Sequence, residues 1–384
     1  MSRWRMVPLG DVLRPVQDAE AVHPERSYPN LGIFGFGRGV FAKPDITGMD
    51  TSAKTLYRVR AGQFIYSRLF AFEGAYAVVP LDLDGCFVSN EFPTFDWIEG
   101  SADPAFIAWI FKQPGVWAEI AKLGVGMGDR RRRVHPESLL TFQVPLPPLD
   151  EQRRIAARLD AVSSRLKARA DAADRQESEL AAMLQQAFAR LTAGSQRARM
   201  ADVAPLVRRP VEIEQDGTYE EIGARAFGRG LFLKPTLRGD SLTWQKLFRI
   251  EADDLVISNI KAWEGAFAVA EPAHHGKVAS HRYLTCVADH RRLLPGVLWF
   301  FLQSRDGLAQ IQAASPGSAD RNRTLAQDRL EAILVPVPPL DAQQWFEDLR
   351  MKAKAVRALN AAAAEDAAAL LPAMLHQTFS PAGC

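Results

Sequence analysis

The chain has 384 residues, 47% hydrophobic and 24% charged, with a formal net charge of +2. This composition excludes wholesale disorder, collagen and coiled coil throughout. At roughly 100 to 200 residues per domain, the length divides into two or three domains, each able to bury a core. Of the 47 basic residues 36 are Arg and 11 are Lys; the planar Arg fork suits phosphates and guanine edges, although a GC-rich genome gives the same bias. Cys86, Cys286 and Cys384 form no metal or disulfide spacing and suit a reducing cytosol. The start, Met1 to Met6, lacks the apolar stretch of a signal peptide, and the longest apolar run, around Val297 to Leu302, is too short to span a bilayer. A soluble cytoplasmic protein with no membrane partner is expected.

In chain order, residues 1–148 read as a mixed α+β domain. The turn Phe36-Gly37-Arg38-Gly39 is followed by short strands such as Gln63 to Ser67, and one helix is expected near Phe106 to Phe111. After Pro147-Pro148 neither Gly nor Pro occurs from Leu149 to Ala193. That stretch predicts a spacer helix over 149–193, about 60 Å long at 1.5 Å per residue. Its stripe of Ile155, Leu159, Val162 and Leu166, resumed by Leu180, Met183 and Ala187, has the three-and-four spacing of a coiled-coil seam. Residues 194–339 then read as a second α+β domain, with a strand at Leu255 to Ser258 and a helix at Gly296 to Leu302. A second long helix is predicted over 340–379, with a seam of Phe346, Leu349, Ala353, Val356, Asn360, Ala363, Ala367, Leu370 and Met374. Asn360 on that seam is placed to fix register, and Pro372 predicts a break or kink near Leu371.

The second half is a copy of the first. Phe36-Gly37-Arg38-Gly39 returns as Phe227-Gly228-Arg229-Gly230, an offset of 191 residues, and Phe72-Glu73-Gly74-Ala75 returns at the same offset as Trp263-Glu264-Gly265-Ala266. Pro145-Leu146-Pro147-Pro148-Leu149-Asp150 returns as Pro336-Val337-Pro338-Pro339-Leu340-Asp341. A period this long excludes a solenoid, whose repeats run about 20 to 50 residues. Each helix outreaches a single domain, so packing the two seams against each other is the economical solution.

A variable α+β domain, then the junction Pro145-Leu146-Pro147-Pro148-Leu149-Asp150-Glu151-Gln152-Arg153-Arg154-Ile155 opening a long helix, then the same pair again, resembles the DNA-specificity subunit of type I restriction-modification systems. The resemblance covers essentially the whole chain. The second junction, Pro336 to Phe346, is degenerate, with Ala342 and Phe346 replacing the Glu and the Ile. Gly126-Met127-Gly128-Asp129-Arg130-Arg131 and Gly317-Ser318-Ala319-Asp320-Arg321-Asn322 stand where that family carries a Gly-rich basic turn. The resemblance implies two homologous α+β target-recognition domains, joined by two long helices packed as an antiparallel coiled coil about a pseudo-two-fold axis. Each domain would read one half of a bipartite, asymmetric site in double-stranded DNA. The partners implied are methyltransferase subunits, two in number, and a restriction and translocase subunit. The chain itself would be non-catalytic and hold no cofactor, with S-adenosylmethionine, ATP and Mg in the partners. The alternatives are a DNA-reading or protein-binding scaffold subunit of another phage-defence complex.

Candidate DNA contacts fall in equivalent places of the two copies. Arg130, Arg131, Arg132 and Arg133 form the densest basic run, and Arg321, Asn322 and Arg323 are its counterpart; phosphate binding is the favoured role, against a merely solvated turn. Arg38 and Arg229 sit in the Gly-rich turns, and Lys43 and Lys234 extend the basic edge. The same glycines serve a plain hairpin turn equally well, and no nucleotide fold surrounds them. Ser67 and Arg68 against Ser258, Asn259 and Lys261 keep an apolar frame while the polar side chains change, as do Asn90 and Glu91 against His281 and Arg282. Arg suits guanine and Asn suits adenine in the major groove, although surface drift leaves the same pattern. Arg153, Arg154 and Arg158, just after the first junction, are candidates for partner binding, or an ordinary solvated helix face. No Walker loop, metal cluster or repeated acid and base pair is present in the sequence, and the methyltransferase signature Asn/Asp-Pro-Pro-Tyr/Phe is absent.

Overall fold

The computed structural model describes residues 4–125, 133–242, 246–317 and 323–379. Both long helices form, over Leu149–Thr192 and Leu340–Phe379. The chain divides into two compact units, each taking part of both helices: Met1–Ala172 with Ala361–Cys384, and Ala173–Asn360.

The first unit holds an α+β domain. Its middle is an antiparallel four-stranded sheet in the order Leu13–Val16, Thr94–Trp97, Phe64–Tyr66, Tyr76–Val78. Phe64, Ile65 and Tyr66 are all buried, as a strand covered on both faces must be. One side is covered by the helix Pro104–Ile110, which starts where Asp103 accepts from Phe106 N at 2.9 Å and Pro104 needs no donor. A five-stranded sheet carries the long hairpin Ser27–Ile33 and Val40–Thr47 at its edge. Phe64, Phe95, Phe106, Trp109 and Phe111 pack with Ala156, Leu159 and Leu375 of the long helices in one core.

The second unit repeats the plan. Leu206–Val207, Tyr283–Cys286, Leu255–Ser258 and Phe267–Val269 form the equivalent four-stranded sheet, and Ile222–Ala224 pairs with Leu231–Leu233 as the equivalent hairpin. Within this unit the long helices run antiparallel. Phe188 meets Phe346 at a ring separation of 5.3 Å, and Glu177 meets Arg357 at 2.8 Å, so the pairing climbs one helix as it descends the other. Asn360 donates to Gln176 Oε1 at 2.7 Å, giving the polar seam position a partner.

Four expectations are corrected. Each domain has two further helices after the one expected, Pro114–Ala121 and Pro136–Leu140 in the first and Arg305–Ala313 and Gln327–Glu331 in the second. The buried face of the first long helix uses Leu184 where Met183 was expected, and Met183 is exposed. In the second, Leu370 is exposed and the stripe continues through Leu371, Met374 and Leu375. The helix also does not end at Pro372. Proline removes one backbone bond and crowds the preceding turn, but Leu371, Met374, Leu375 and Phe379 hold the last turns against the core.

Candidate nucleic-acid interface

In the first unit the strand Phe64–Tyr66 delivers Arg68 to the meeting point of two other segments. Arg68 N donates to Glu91 O at 2.9 Å, and Arg68 O accepts from Val134 N at 3.0 Å. Its guanidinium donates from Nη2 to His135 Nδ1 at 2.9 Å, while Nε is buried with no partner within the chain. Arg133 donates from Nε to both carboxylate oxygens of Glu91 at 3.1 Å. Lys43, on the hairpin, lies with Nζ 5.7 Å from the Phe92 ring centroid. Arg38, Lys43, Arg68, Asn90 and Arg133 are thereby drawn to linked elements of one domain. Tyr66 fixes this corner from below by donating its hydroxyl to Val134 O at 2.8 Å, and burial pushes its phenol well above the usual range.

The second unit builds the same corner with other side chains. Asn259 N donates to Arg282 O at 2.9 Å, and Asn259 O accepts from Leu325 N at 2.8 Å. These are the bonds of Arg68 moved by one repeat. Asn259 Oδ1 is buried with no partner within the chain. The Trp263 ring has two cations close to it, Lys261 Nζ at 5.5 Å and the Arg323 guanidinium at 5.2 Å from its centroid. Such contacts hold a cation at fixed geometry without neutralising it. Lys261 is in addition paired with Glu264 at 2.7 Å. His281 and Arg282 are exposed on the adjoining loop.

The Gly-rich turns dock onto these corners. Phe36 N donates to Glu73 O at 2.6 Å and Gly37 N to Gly74 O at 2.9 Å; Phe227 and Gly228 make the same pair of bonds to Glu264 and Gly265 at 2.8 and 3.0 Å. Gly74 sits at φ +77°, where a Cβ would come within 2.4 Å of the Trp117 ring, so glycine there is dictated by both torsion and space. Arg38 and Arg229 project beside these turns, their guanidinium carbons 5.9 and 5.8 Å from the Phe36 and Phe227 rings.

Several candidates have a different place. Ser67 and Ser258 are buried, and Ser67 Oγ accepts from Phe70 N at 3.2 Å, so these serines serve the fold and offer no surface to a duplex. Lys234 is bound to Glu221 at 2.8 Å and lies over the Tyr283 ring, which compensates its charge. Arg130, Arg131, Arg132, Arg321 and Asn322 lie outside the described residues. Arg153, Arg154 and Arg158 are exposed on the first long helix, the first two facing Asp150 and Glu151 at 3.7 and 3.8 Å. Phe36, Phe227, His135 and Trp263 are not among the sequence candidates; the recurrence of Phe-Gly and of an aromatic at 72 and 263 is the available signal. Among the described residues no cluster of three or more His, Cys, Asp or Glu could hold a metal, and no helix is long and apolar enough to cross a membrane.

No protein-family model matches the chain, and no curated protein matches it. Solved structures do. The HsdS subunit from Thermoanaerobacter tengcongensis aligns over 98% of this chain and 96% of its own, with a TM-score of 0.59 at 19% identity. The chain has the type I S-subunit fold. A chain from a structure on complex assembly and conformational transition of the type I R-M system aligns over 97% of both chains, TM-score 0.66 at 18% identity. The type I restriction-modification S subunit from M. genitalium aligns over all of this chain and 97% of its own, TM-score 0.55 at 13% identity. Within the S-subunit fold both corners described above belong to the α+β domains, and the paired helices carry neither.

Proposed function

We propose that this chain is the sequence-specific DNA-binding subunit of a type I restriction-modification complex. Each α+β domain reads one half of a bipartite, asymmetric site, and the chain directs two methyltransferase subunits and a restriction subunit to it. The chemistry, with its S-adenosylmethionine, ATP and Mg, lies in those partners, and this chain supplies recognition alone. One observation carries the reading. At one backbone position, held by the same two hydrogen bonds in both copies, the first unit places a partly exposed guanidinium, Arg68, which only donates, and the second a partly exposed amide, Asn259, which both donates and accepts. A frame kept identical while its hydrogen-bonding character changes is what two different half-sites demand, since base edges are told apart by their donor and acceptor order. The basic and cation–π groups around each position suit the phosphates that flank a read base.

Sequencing genomic methylation in cells with and without this chain tests the proposal. Loss of one bipartite adenine-methylation motif is expected, and an unchanged methylome overturns it.

A further inference from the structure

Apart from Asp253, the non-glycine residues with positive φ among those described are Phe36 at 62° and Phe227 at 58°. They are repeat equivalents. The left-handed region costs a residue with a side chain about 1 kcal/mol or more, and core burial does not offset it, because Phe36 is 63% exposed and Phe227 72%. Glycine would satisfy the backbone without strain, yet phenylalanine stands in both copies. The surroundings enforce the conformation. Two backbone hydrogen bonds clamp each turn to the following Glu-Gly pair, and a Cβ on Gly37 or Gly228 would come within 3.1 Å of Lys112 or 2.9 Å of Gln303. What the two copies keep is therefore a rigid turn that holds an aromatic ring out toward solvent.

The chemistry around each ring says what it meets. Arg38 stands two residues on, stacked 4.9 Å from Phe34 and 5.9 Å from Phe36, and Arg229 stands 5.8 Å from Phe227, with Arg225 4.9 Å from Phe232. An apolar ring rimmed by guanidinium groups complements a surface that is anionic outside and apolar within. In the second unit, the Glu264 that anchors the turn adjoins Trp263, which holds the cations beside Asn259. The base stack of a DNA duplex, with its phosphates on either side, has this pattern.

We infer that Phe36 and Phe227 are wedges, each entering the base stack at one step bordering the half-site read by its own domain, with Arg38 and Arg229 on the adjacent phosphates. Inserted apolar side chains unstack a step and bend the duplex, and the cost is recovered by the additional surface that the bent DNA contacts. Each domain would thus make specific a step whose base edges it does not read, through the ease of deforming it. This inference rests on the DNA-reading function proposed above.

The test uses the full chain in its complex with the methyltransferase subunits and a duplex carrying the motif found by methylation sequencing. 2-Aminopurine is placed in turn at each step around both half-sites. A several-fold fluorescence rise is expected at one step per half-site; Phe36→Gly abolishes the first rise and Phe227→Gly the second. Each variant loses affinity on the order of ten-fold, the scale of one base–aromatic contact. A mismatch placed at the affected step, already unstacked, restores most of that loss. Glycine relieves the left-handed strain but adds chain entropy, and Phe36 also gives up its edge contact with the Trp117 ring at 6.2 Å, so only a small change in melting temperature is expected, and that measurement separates a folding defect from a lost DNA contact. Duplex bound with the native motif but no rise at any step, or rises that survive both substitutions, overturns the wedge alone. Absence of DNA binding by the unsubstituted complex overturns the specificity reading and the wedge with it.

Discussion

Gln152 and Gln343 hold the same place in the two units. Each lies buried in the first turn of a long helix, donates to the carbonyl of the first proline of the Pro-Pro junction at 2.8 and 2.7 Å, and accepts a backbone N–H from the start of the domain helix, Asp103 N or Leu294 N, both at 2.8 Å. The junction motif is a joint, and its glutamine is the pin.

Replacing either glutamine with alanine leaves buried backbone groups without partners, at about 1 to 3 kcal/mol each. Gln343 serves one more group than Gln152, the Arg292 carbonyl at 2.8 Å. Gln343→Ala is therefore expected to destabilise more than Gln152→Ala. Hydrogen exchange in the helices Pro104–Ile110 and Pro295–Gln303 checks which unit loosens. Equal loss in both units from one substitution would show that the joint acts globally.

The proposed reading positions predict separable changes in specificity. Arg68→Ala should relax or alter only the first half-site, and Asn259→Ala only the second, each by about 1 to 3 kcal/mol of discrimination at one base pair. Methylation sequencing of cells carrying each variant reads this directly. Movement of letters in both half-sites from one substitution would place these residues in the fold of the corner and not on the DNA.

Much of the architecture was legible because it is local. Phe64 to Tyr66, the absence of Gly and Pro after Leu149, and the recurring junction are patterns of neighbours, and each became the expected element. The seam was legible only in part. After Leu180 both Met183 and Leu184 satisfy a spacing of three or four, and the partner helix decides which is buried; here it is Leu184. The helix Pro114–Ala121 buries only Trp117 and Ile120, too few to announce a period. Ser67 is buried because it follows a strand covered on both faces, Phe64–Tyr66, which carries no alternation to mark an exposed side. The Gln152 joint is not legible in the sequence, since a lone glutamine in a polar helix looks solvated until the Asp103 and Pro147 backbones close over it.

Salt dependence should divide the basic residues into classes. Arg38 and Arg229 are exposed, and their replacement by alanine should weaken binding to all sequences alike and lower the slope of log K against log salt by about 0.9 per contact. Lys234→Ala should leave the slope unchanged, since Glu221 already neutralises that charge. Anisotropy titrations across a several-fold range of salt concentration check this; a slope insensitive to Arg38 and Arg229 together would remove them from the phosphate backbone.

Cys286 gives a pH signature. Burial pushes its thiol up from 9.0 to about 12, so between those values the unfolded chain releases a proton that the folded chain keeps. Fewer protons are then bound in the unfolded state, and stability falls as pH rises through that window while being fully present below about pH 9. Unfolding measured from about pH 8 to 11 should decline more steeply for the native chain than for Cys286→Ala. The buried thiol should also resist a thiol reagent in the folded protein at about pH 8. A shared slope, with rapid modification of Cys286, would mean that this strand opens readily to solvent.

The paired helices give the last prediction, which rests on their acting as a ruler between two half-sites. Four residues inserted after Ala170 lengthen the helix by roughly 6 Å, close to two base pairs at about 3.4 Å each, and rotate the helix beyond the insertion by about 40° more than one full turn. They also displace Glu177 and Gln176 from Arg357 and Asn360 unless a stutter absorbs the shift. The expected outcome is a longer gap between unchanged half-sites, or loss of methylation through misregister. The same insertion made simultaneously in the second helix, near Ala363 where the antiparallel partner runs, should rescue a misregistered variant by restoring the seam while keeping the added length. Methylation sequencing decides among these. An active variant with the original gap and altered half-site letters would show that the helices are not the ruler and would move recognition onto them.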